Sequence, residues 1–463
     1  MNNSNSTDLS QGSVGKLLFS LALPSILAQI INVLYNMVDR MYIGHIPEVG
    51  PSALTGVGIT MPVIMAVSAF AALVCMGGAP RAAIFLGKNQ KDEAENVLGN
   101  CLMLLIIVAI VLTILLEVFG QQLLWVFGAS ENTITYAWSY LQIYAIGTIF
   151  VQMALGLNAF INTQGYAKWG MATVGIGAIL NIVLDPIFIF VMGMGVRGAA
   201  LATIISQCVS ALFCLWFLSS KHSFLQIKTK YLKLSGAVIL PCVALGLSPF
   251  TMQITEALIS VCFNSSLLKY GGDIAVGAMT ILTSVMQFSM LPLQGMTQGS
   301  QPIISYNFGA HKYDRIRKCF KILLIACCIY STTLWALCEV TPQLFASMFT
   351  SSPELMAYAS TAMRIYMLAQ CIFGIQIACQ QTFIALGNAK VSLFLACLRK
   401  IILLIPLIYI MPAITFDPAM KVWAVFAAEP VADVLAVTTT AIMFFRYYKK
   451  VLKQPESEEA RAA

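Results

Sequence analysis

The chain is 463 residues long, 59% apolar and 10% charged, against about 25% charged in an ordinary soluble protein. That balance excludes a soluble globular domain. The net charge of +7 does not describe a nucleic-acid surface either, because the cations are sorted by side. With loops assigned alternately to the two sides of a membrane, 22 of the 27 Lys and Arg fall on one side, Arg399, Lys400, Lys453 and Arg461 among them. Only Arg40, Arg197, Lys269, Arg364 and Lys421 fall opposite. The positive-inside rule then predicts an inner (cytoplasmic) membrane protein with both termini cytoplasmic. Membrane lipids are expected partners, nucleic acid is not, and a monomer is the expectation.

Twelve apolar runs follow one another at 14–39, 53–76, 97–119, 136–158, 169–192, 198–218, 237–264, 274–299, 319–341, 359–385, 392–412 and 422–445. Runs of about 20 residues cross about 30 Å of hydrocarbon as helices. The predicted fold class is therefore all-α and polytopic, with twelve transmembrane helices. The opening residues are polar and show no cleavage pattern, so the first helix is expected to serve as its own insertion signal. The thirteen cysteines are odd in number and sit in apolar runs, a pattern of small buried hydrophobes rather than a disulfide framework.

The first run carries Pro24 near its start, where a missing N–H invites a kink. Below it Asn32, Tyr35, Asn36 and Asp39 recur at three- and four-residue spacing, one polar stripe on a helix. A carboxylate at the bilayer centre costs about 2.5–3.5 kcal/mol on insertion scales, so it is rarely kept there without a use. The bland alternative is that Asp39 and Arg40 only mark the helix end at the headgroups.

Self-comparison exposes a duplication. Gly77, Pro80 and Gly87 return as Gly299, Pro302 and Gly309, each 222 residues on. Phe127, Ser130, Tyr136, Ile143 and Tyr144 return as Phe349, Ser352, Tyr358, Ile365 and Tyr366, and Gly165, Ala167 and Lys168 as Gly387, Ala389 and Lys390, at the same displacement. Six helices per copy is an even number, so the two lobes are related by a pseudo-two-fold along the membrane normal. The predicted parts are a cytoplasmic tail 1–13, an N-lobe 14–218, a cytoplasmic linker 219–236, a C-lobe 237–446 and a cytoplasmic tail 447–463. Such folds hold substrate near the midplane between the halves and alternate access by rocking.

The copies differ in charge. Asn181 and Asp185 stand one turn apart in the fifth run, followed by Pro186, where the second copy has Leu403 and Leu407. Thr203, Ser206, Gln207 and Ser210 stripe the sixth run, and Asn158 and Asn162 lie in the fourth. If these stripes face inward, Asp39, Asn181, Asp185 and Thr203 converge. Their hard oxygen donors suit a proton or Na⁺; the bland alternative is a network that only glues helices. Asn32, Tyr35, Asn158 and Gln207 are candidates for a substrate pocket. Glu256 is the one charge of the seventh run, a second proton site or a substrate carboxylate. Glu429 and Asp433, at i and i+4 around Pro430, are either another proton site or the partners of Arg399 or Lys400. The 23 methionines suit a promiscuous apolar pocket, though core filling explains any single one.

Together these residues resemble the multidrug and toxic compound extrusion (MATE) transporters, in particular the bacterial branch with an acidic first helix. The resemblance runs over nearly all of 14–450 and rests on Pro24 with Asp39, on Asn181 with Asp185 and Pro186, and on the paired Gly-x-x-Pro-x₆-Gly motifs. It implies a V of two six-helix lobes that exports cationic amphipathic drugs or dyes against inward H⁺ or Na⁺, with no other cofactor. By position it assigns the cation site to Asp39, Asn181, Asp185 and Thr203, an acidic C-lobe position to Glu256, and a hinge to Pro24. The chain departs from one branch in lacking an Asp on its tenth helix. A lipid-linked oligosaccharide flippase is the nearest rival, but a pyrophosphate needs a cationic cavity and the midplane candidates here are mostly acidic. No HExxH pair, nucleophile elbow or Walker motif occurs, so an enzyme or an ATP-driven pump is not expected.

Overall fold

The structure is a computed structural model and describes residues 9–452. The terminal residues 1–8 and 453–463, with Lys453 and Arg461 and most of both predicted tails, lie outside the described residues. The first lobe comprises α1 (Val14–Gly44), α2 (Gly50–Gly87), α3 (Lys91–Val126), α4 (Ile134–Ile146 and Thr148–Thr163, bent by 60°), α5 (Ala167–Val191) and α6 (Val196–Ser219). The second continues with Gly236–Gly309, helical throughout except at Gly272, which has φ 65° and ψ −162°. That backbone conformation is open essentially to glycine alone. One residue thus divides α7 (236–271) from α8 (273–309), where the hydropathy pattern predicts a loop. After them come α9 (Tyr313–Val340), α10 (Pro353–Tyr366 and Gln370–Ala385, bent by 52°), α11 (Ala389–Ile414) and α12 (Pro418–Leu452). Twelve spans therefore stand among the described residues, in two lobes of six. Both fourth helices of the repeat are bent, and all thirteen cysteines are free thiols.

Both fifth helices also widen into a π turn. In α5 it covers Ile187–Val191 and follows Pro186; in α11 it covers Leu398–Leu404 and precedes Pro406. A proline cannot donate to the carbonyl four residues back, and its ring presses on that carbonyl, so the ladder opens nearby. Asp185 lies just ahead of the first widened turn; Arg399 and Lys400 lie inside the second.

The lobes meet through backbone. A Cβ on Gly87 would overlap the Tyr306 carbonyl oxygen, and one on Gly309 would overlap that of Ile84. These contacts are mates under the repeat: 87 and 309, like 84 and 306, are 222 apart. Gly77 abuts Cys242 while its mate Gly299 abuts Ala22, and Leu73 meets Gly246 while its mate Gly295 meets Ile26. Cys242 and Ala22, and Gly246 and Ile26, are 220 apart rather than 222. The first helices of the two lobes are therefore offset by two residues. In this register Asp39 corresponds to Ile259, and Glu256 to Asn36. These contacts gather in the half of the molecule that carries Leu9 and Leu452, where Leu17, Leu18 and Leu21 of α1 join the same C-lobe core. Farther along, Leu34, Met37 and Met41 of α1 and Leu258, Val261 and Leu268 of α7 are exposed. The lobes thus converge at the end that carries residues 9 and 452.

Two straps secure the converged end. The linker lies on the N-lobe: Leu225 N–H and Ser223 Oγ donate to Gln164 Oε1 at 2.8 and 3.0 Å, Tyr231 Oη donates to Asp92 at 2.9 Å, and Lys228 pairs with Glu95. Conversely, the segment before α1 lies on the C-lobe, where the Arg315 guanidinium donates to the carbonyls of Gly12 (2.8 Å), Gln11 (2.9 Å) and Leu9 (3.3 Å).

Candidate functional site

The polar stripe of α1 faces the interior of the N-lobe. Asp39 is 6% exposed and lies five residues before the helix ends at Gly44, turned into the protein; its neighbour Arg40 is exposed and donates to Met61 Sδ at 3.2 Å. Across from it, Asn181 and Asp185 share the α5 face turned to α1 and α6. Asn181 Nδ2 donates to Asp185 Oδ1 at 3.2 Å and to Thr203 Oγ1 on α6 at 3.4 Å. The Asp39 and Asp185 carboxyls are direct neighbours. The structure therefore brings Asp39, Asn181, Asp185 and Thr203 together.

The electrostatics of this cluster are incomplete. Asp39 Oδ1, Asn181 Oδ1 and Asp185 Oδ2 are each buried without a hydrogen-bond donor. Two adjacent carboxylates in a dry site repel, and only a proton or a cation between them relieves both the repulsion and the orphaned lone pairs. The donor set is oxygen only, which fits H⁺ or Na⁺. Tyr140 on α4 closes the site: it is 3% exposed, neighbours Asp39 and Thr203, and stacks on Tyr144 with ring centroids 6.4 Å apart. Sequence reasoning missed Tyr140. A tyrosine at an aromatic-rich helix end carries no signal of its own.

The pocket candidates divide. Tyr35 is next to Asn36, Asp39 and the α6 residue Gln207, and so belongs to the cluster's margin. Asn158 is already engaged, donating to the Gly170 carbonyl at 2.9 Å and accepting from Asn162 at 2.7 Å. It ties α4 to α5. The Asn32 carbonyl accepts from Asn36 Nδ2 at 2.6 Å. Pro24 is buried in α1 at the convergence of the lobes, beside the packing of Ala22 and Ile26 against α8.

The C-lobe holds a different cluster. Arg399 and Lys400, counted above with the loop charges of one side, are 9% and 4% exposed and lie inside α11; that placement is corrected here. Arg399 donates from Nη2 to Glu429 (2.8 Å) and from Nε to Asp433 (2.6 Å), with its guanidinium 4.6 Å from the Phe373 ring. Successive helical residues point about 100° apart, so Lys400 turns to α7, where it pairs with Glu256 and donates to the Met252 carbonyl at 3.4 Å. The Glu256 side chain itself remains 55% exposed. Of the two readings for Glu429 and Asp433, the paired arrangement is the one observed.

Bundled helices in two pseudo-symmetric lobes, each with buried charges on its fifth helix, define a polytopic membrane transporter of two-lobe design. The chain matches the MatE family model over residues 24–187 and 250–410, and it belongs to that family. It is 23% identical over 427 residues to the multidrug export protein MepA of Staphylococcus haemolyticus (strain JCSC1435), covering 92% of this chain and 93% of that one. Among solved structures, that of the MATE multidrug transporter DinF-BH, determined as a complex, superposes with a TM-score of 0.87 at 34% identity, over 96% of this chain and 98% of that one. A MATE structure in the bent conformation gives a TM-score of 0.87 at 23% identity, over 96% and 99%, and bears on the fold alone.

Proposed function

We propose that the protein is a secondary active multidrug efflux antiporter of the inner membrane, exporting cationic amphipathic drugs or dyes in exchange for H⁺ or Na⁺. One observation carries this reading: three buried oxygens, on Asp39, Asn181 and Asp185, lack a donor in a site with two adjacent carboxylates. A coupling ion that enters there removes charge from the N-lobe and with it the attraction for a cationic cargo. Neutralisation also lets α1 repack about Pro24, next to the α8 contacts that hold the lobes together. In this reading the termini are cytoplasmic and the lobes open outward in the state that takes up the ion and releases drug. The relatives named for multidrug export support drugs as the cargo. A flippase reading gains nothing from the buried cations of the C-lobe, because three carboxylates surround the two of them.

Dye transport into everted vesicles, with a pH gradient and a Na⁺ gradient imposed separately, tests the proposal. One gradient is expected to drive transport of an ethidium-like dye. Asp39→Asn and Asp185→Asn are each expected to weaken the coupling ion's hold by about 10- to 100-fold, abolishing the gradient-driven component. If both variants reach the membrane and still show the full coupled rate, the assignment is wrong.

A further inference from the structure

The cations of the C-lobe are not equivalent. Arg399 is locked between two buried carboxylates of α12 and lies against a phenyl ring. Lys400 has one carboxylate, Glu256, and that partner is 55% exposed whereas the lysine is 4% exposed. The pair therefore has a closed side, occupied by the ammonium, and an open side on the α7 face that also carries Gln253, Ser260 and Asn264. Three carboxylates share the cluster with two cations, leaving one net negative charge.

The closed side also holds spare acceptors. Glu429 Oε2 is buried without a donor in a residue 4% exposed, and its carboxylate is an electrostatic neighbour of Lys400. Gln376, 1% exposed, donates to Gln380 Oε1 at 3.1 Å and leaves its own Oε1 without a donor. Gln380 in turn reaches Met252 Sδ at 3.3 Å, the residue whose carbonyl accepts from Lys400. A flexible ammonium on a four-carbon stem can rotate among such acceptors, as a guanidinium fork cannot.

We propose that Glu256 and Lys400 form a charge-exchange site: Lys400 is a built-in stand-in for the cation of the substrate, and an incoming lipophilic monocation takes its place on Glu256 while the ammonium retracts toward Glu429 and Gln376. This rests on the reading of the cargo as a cation and assigns it a second docking point, in the C-lobe. The entering cation takes the cluster from one net negative charge to neutral, and no ion pair is left half-buried. Lys400 acts as a specificity-determining residue: it competes with weak monocations, and in the absence of Glu256 its charge attracts an anion.

The test uses two probes of the same shape and opposite charge, tetraphenylphosphonium and tetraphenylborate, with binding to the purified full-length protein measured in nanodiscs. The wild type is expected to bind the phosphonium and not the borate. Lys400→Met removes the competitor and should tighten phosphonium binding about tenfold, while Glu256→Gln should weaken it about tenfold and create borate binding. The double variant should bind neither better than Glu256→Gln binds the phosphonium. A folded Lys400→Met protein with phosphonium affinity equal to or below the wild type overturns the exchange. Should Lys400→Met not fold, Glu256→Gln decides alone: no loss of phosphonium and no gain of borate overturns it. If the wild type and all variants ignore the phosphonium, the cationic-cargo reading falls, and the exchange with it; a wild type that binds while the variants change nothing sinks the exchange only.

Discussion

The two lobes share a helical plan and both bury carboxylates, yet they compensate them by opposite means. In the N-lobe, Asp39 and Asp185 face each other with an amide and a hydroxyl, and three oxygens are left without donors. In the C-lobe, Glu429 and Asp433 are held by both edges of one guanidinium, and Glu256 by an ammonium. Fixed cations cost a permanent desolvation but remove the need for a mobile one. A duplicated scaffold can thus divide its labour: one copy leaves buried oxygens of its carboxylate site without a donor, and the other fixes Glu429 and Asp433 at folding with its own guanidinium. The substitution behind this sits on one helix, where Asn181 and Asp185 of α5 give way to Leu403 and Leu407 and the charges move to Arg399 and Lys400 within the π turn.

The sharpest way to break this contrast is to remove the fixed cation. Arg399→Leu leaves Glu429 and Asp433 buried and uncompensated, a loss expected at about 3–5 kcal/mol. Thermal unfolding in detergent should show a markedly lower midpoint, and adding Glu429→Gln and Asp433→Asn should restore most of it. If the single variant melts like the wild type, the guanidinium is not the lobe's counter-charge. The matching change in the N-lobe should go the other way. Asp185→Asn takes a charge out of a dry, donor-poor site and is expected to stabilise the fold by about 1–3 kcal/mol while ending coupled transport. A destabilised Asp185→Asn protein would mean that the carboxylate already has its partner within the chain.

Much of this plan was legible in the sequence because membrane insertion imposes it. Twelve apolar runs had to be helices, since no other backbone satisfies its own polar groups in lipid without closing a barrel. The duplication showed through Gly77, Gly87, Gly299 and Gly309, where backbones touch and a side chain has no room. Asp39, Asn181, Asp185 and Thr203 followed from helical spacing. Three things were hidden. Gly272 turns the chain between α7 and α8 with one residue; the Gly271-Gly272 pair marks a turn but does not show that a single positive φ makes it. The 220-residue offset of the first helices, against 222 elsewhere, is visible only from which atoms meet. Arg399 and Lys400 looked like loop charges because their compensation comes from other helices, that of Arg399 from Glu429 and Asp433 and that of Lys400 from Glu256, and spacing does not fix which residues pair across helices.

The repeat itself offers a milder test. Gly87→Ala and Gly309→Ala place mated methyl groups against the Tyr306 and Ile84 carbonyls, and each is expected to cost about 1–3 kcal/mol as overpacking. The strain falls on the converged ends of the lobes, so both variants should increase labelling of a cysteine introduced at the α2–α8 crossing by a polar thiol reagent. Equal effects would match the symmetry of the contact; a large effect from one alone would show that the lobes bear on each other unequally.

The smallest expected effect compares two lysine–glutamate pairs that differ in burial. Lys228 of the linker pairs with Glu95, as Lys400 pairs with Glu256, but its side chain is 38% exposed against 4% for Lys400. The hydrogen bond to Glu95 raises the Lys228 pKa above the ordinary lysine value. A raised folded value means that the contribution to stability is fully present below the unfolded pKa of about 10.4 and is lost as pH climbs through the folded one. The melting difference between the wild type and Lys228→Met should therefore be small and level from neutral pH upward, then shrink in strong alkali. Water and salt reach this pair, so raising the ionic strength to about 1 M, where the Debye length is near 3 Å, should erase the difference. The binding changes at Lys400 should survive the same salt, because an ammonium shut inside the lobe is screened far less. Equal salt sensitivity at the two lysines would place the Lys400 ammonium in contact with bulk solvent and remove the distinction between a strap on the surface and a charge held within the lobe.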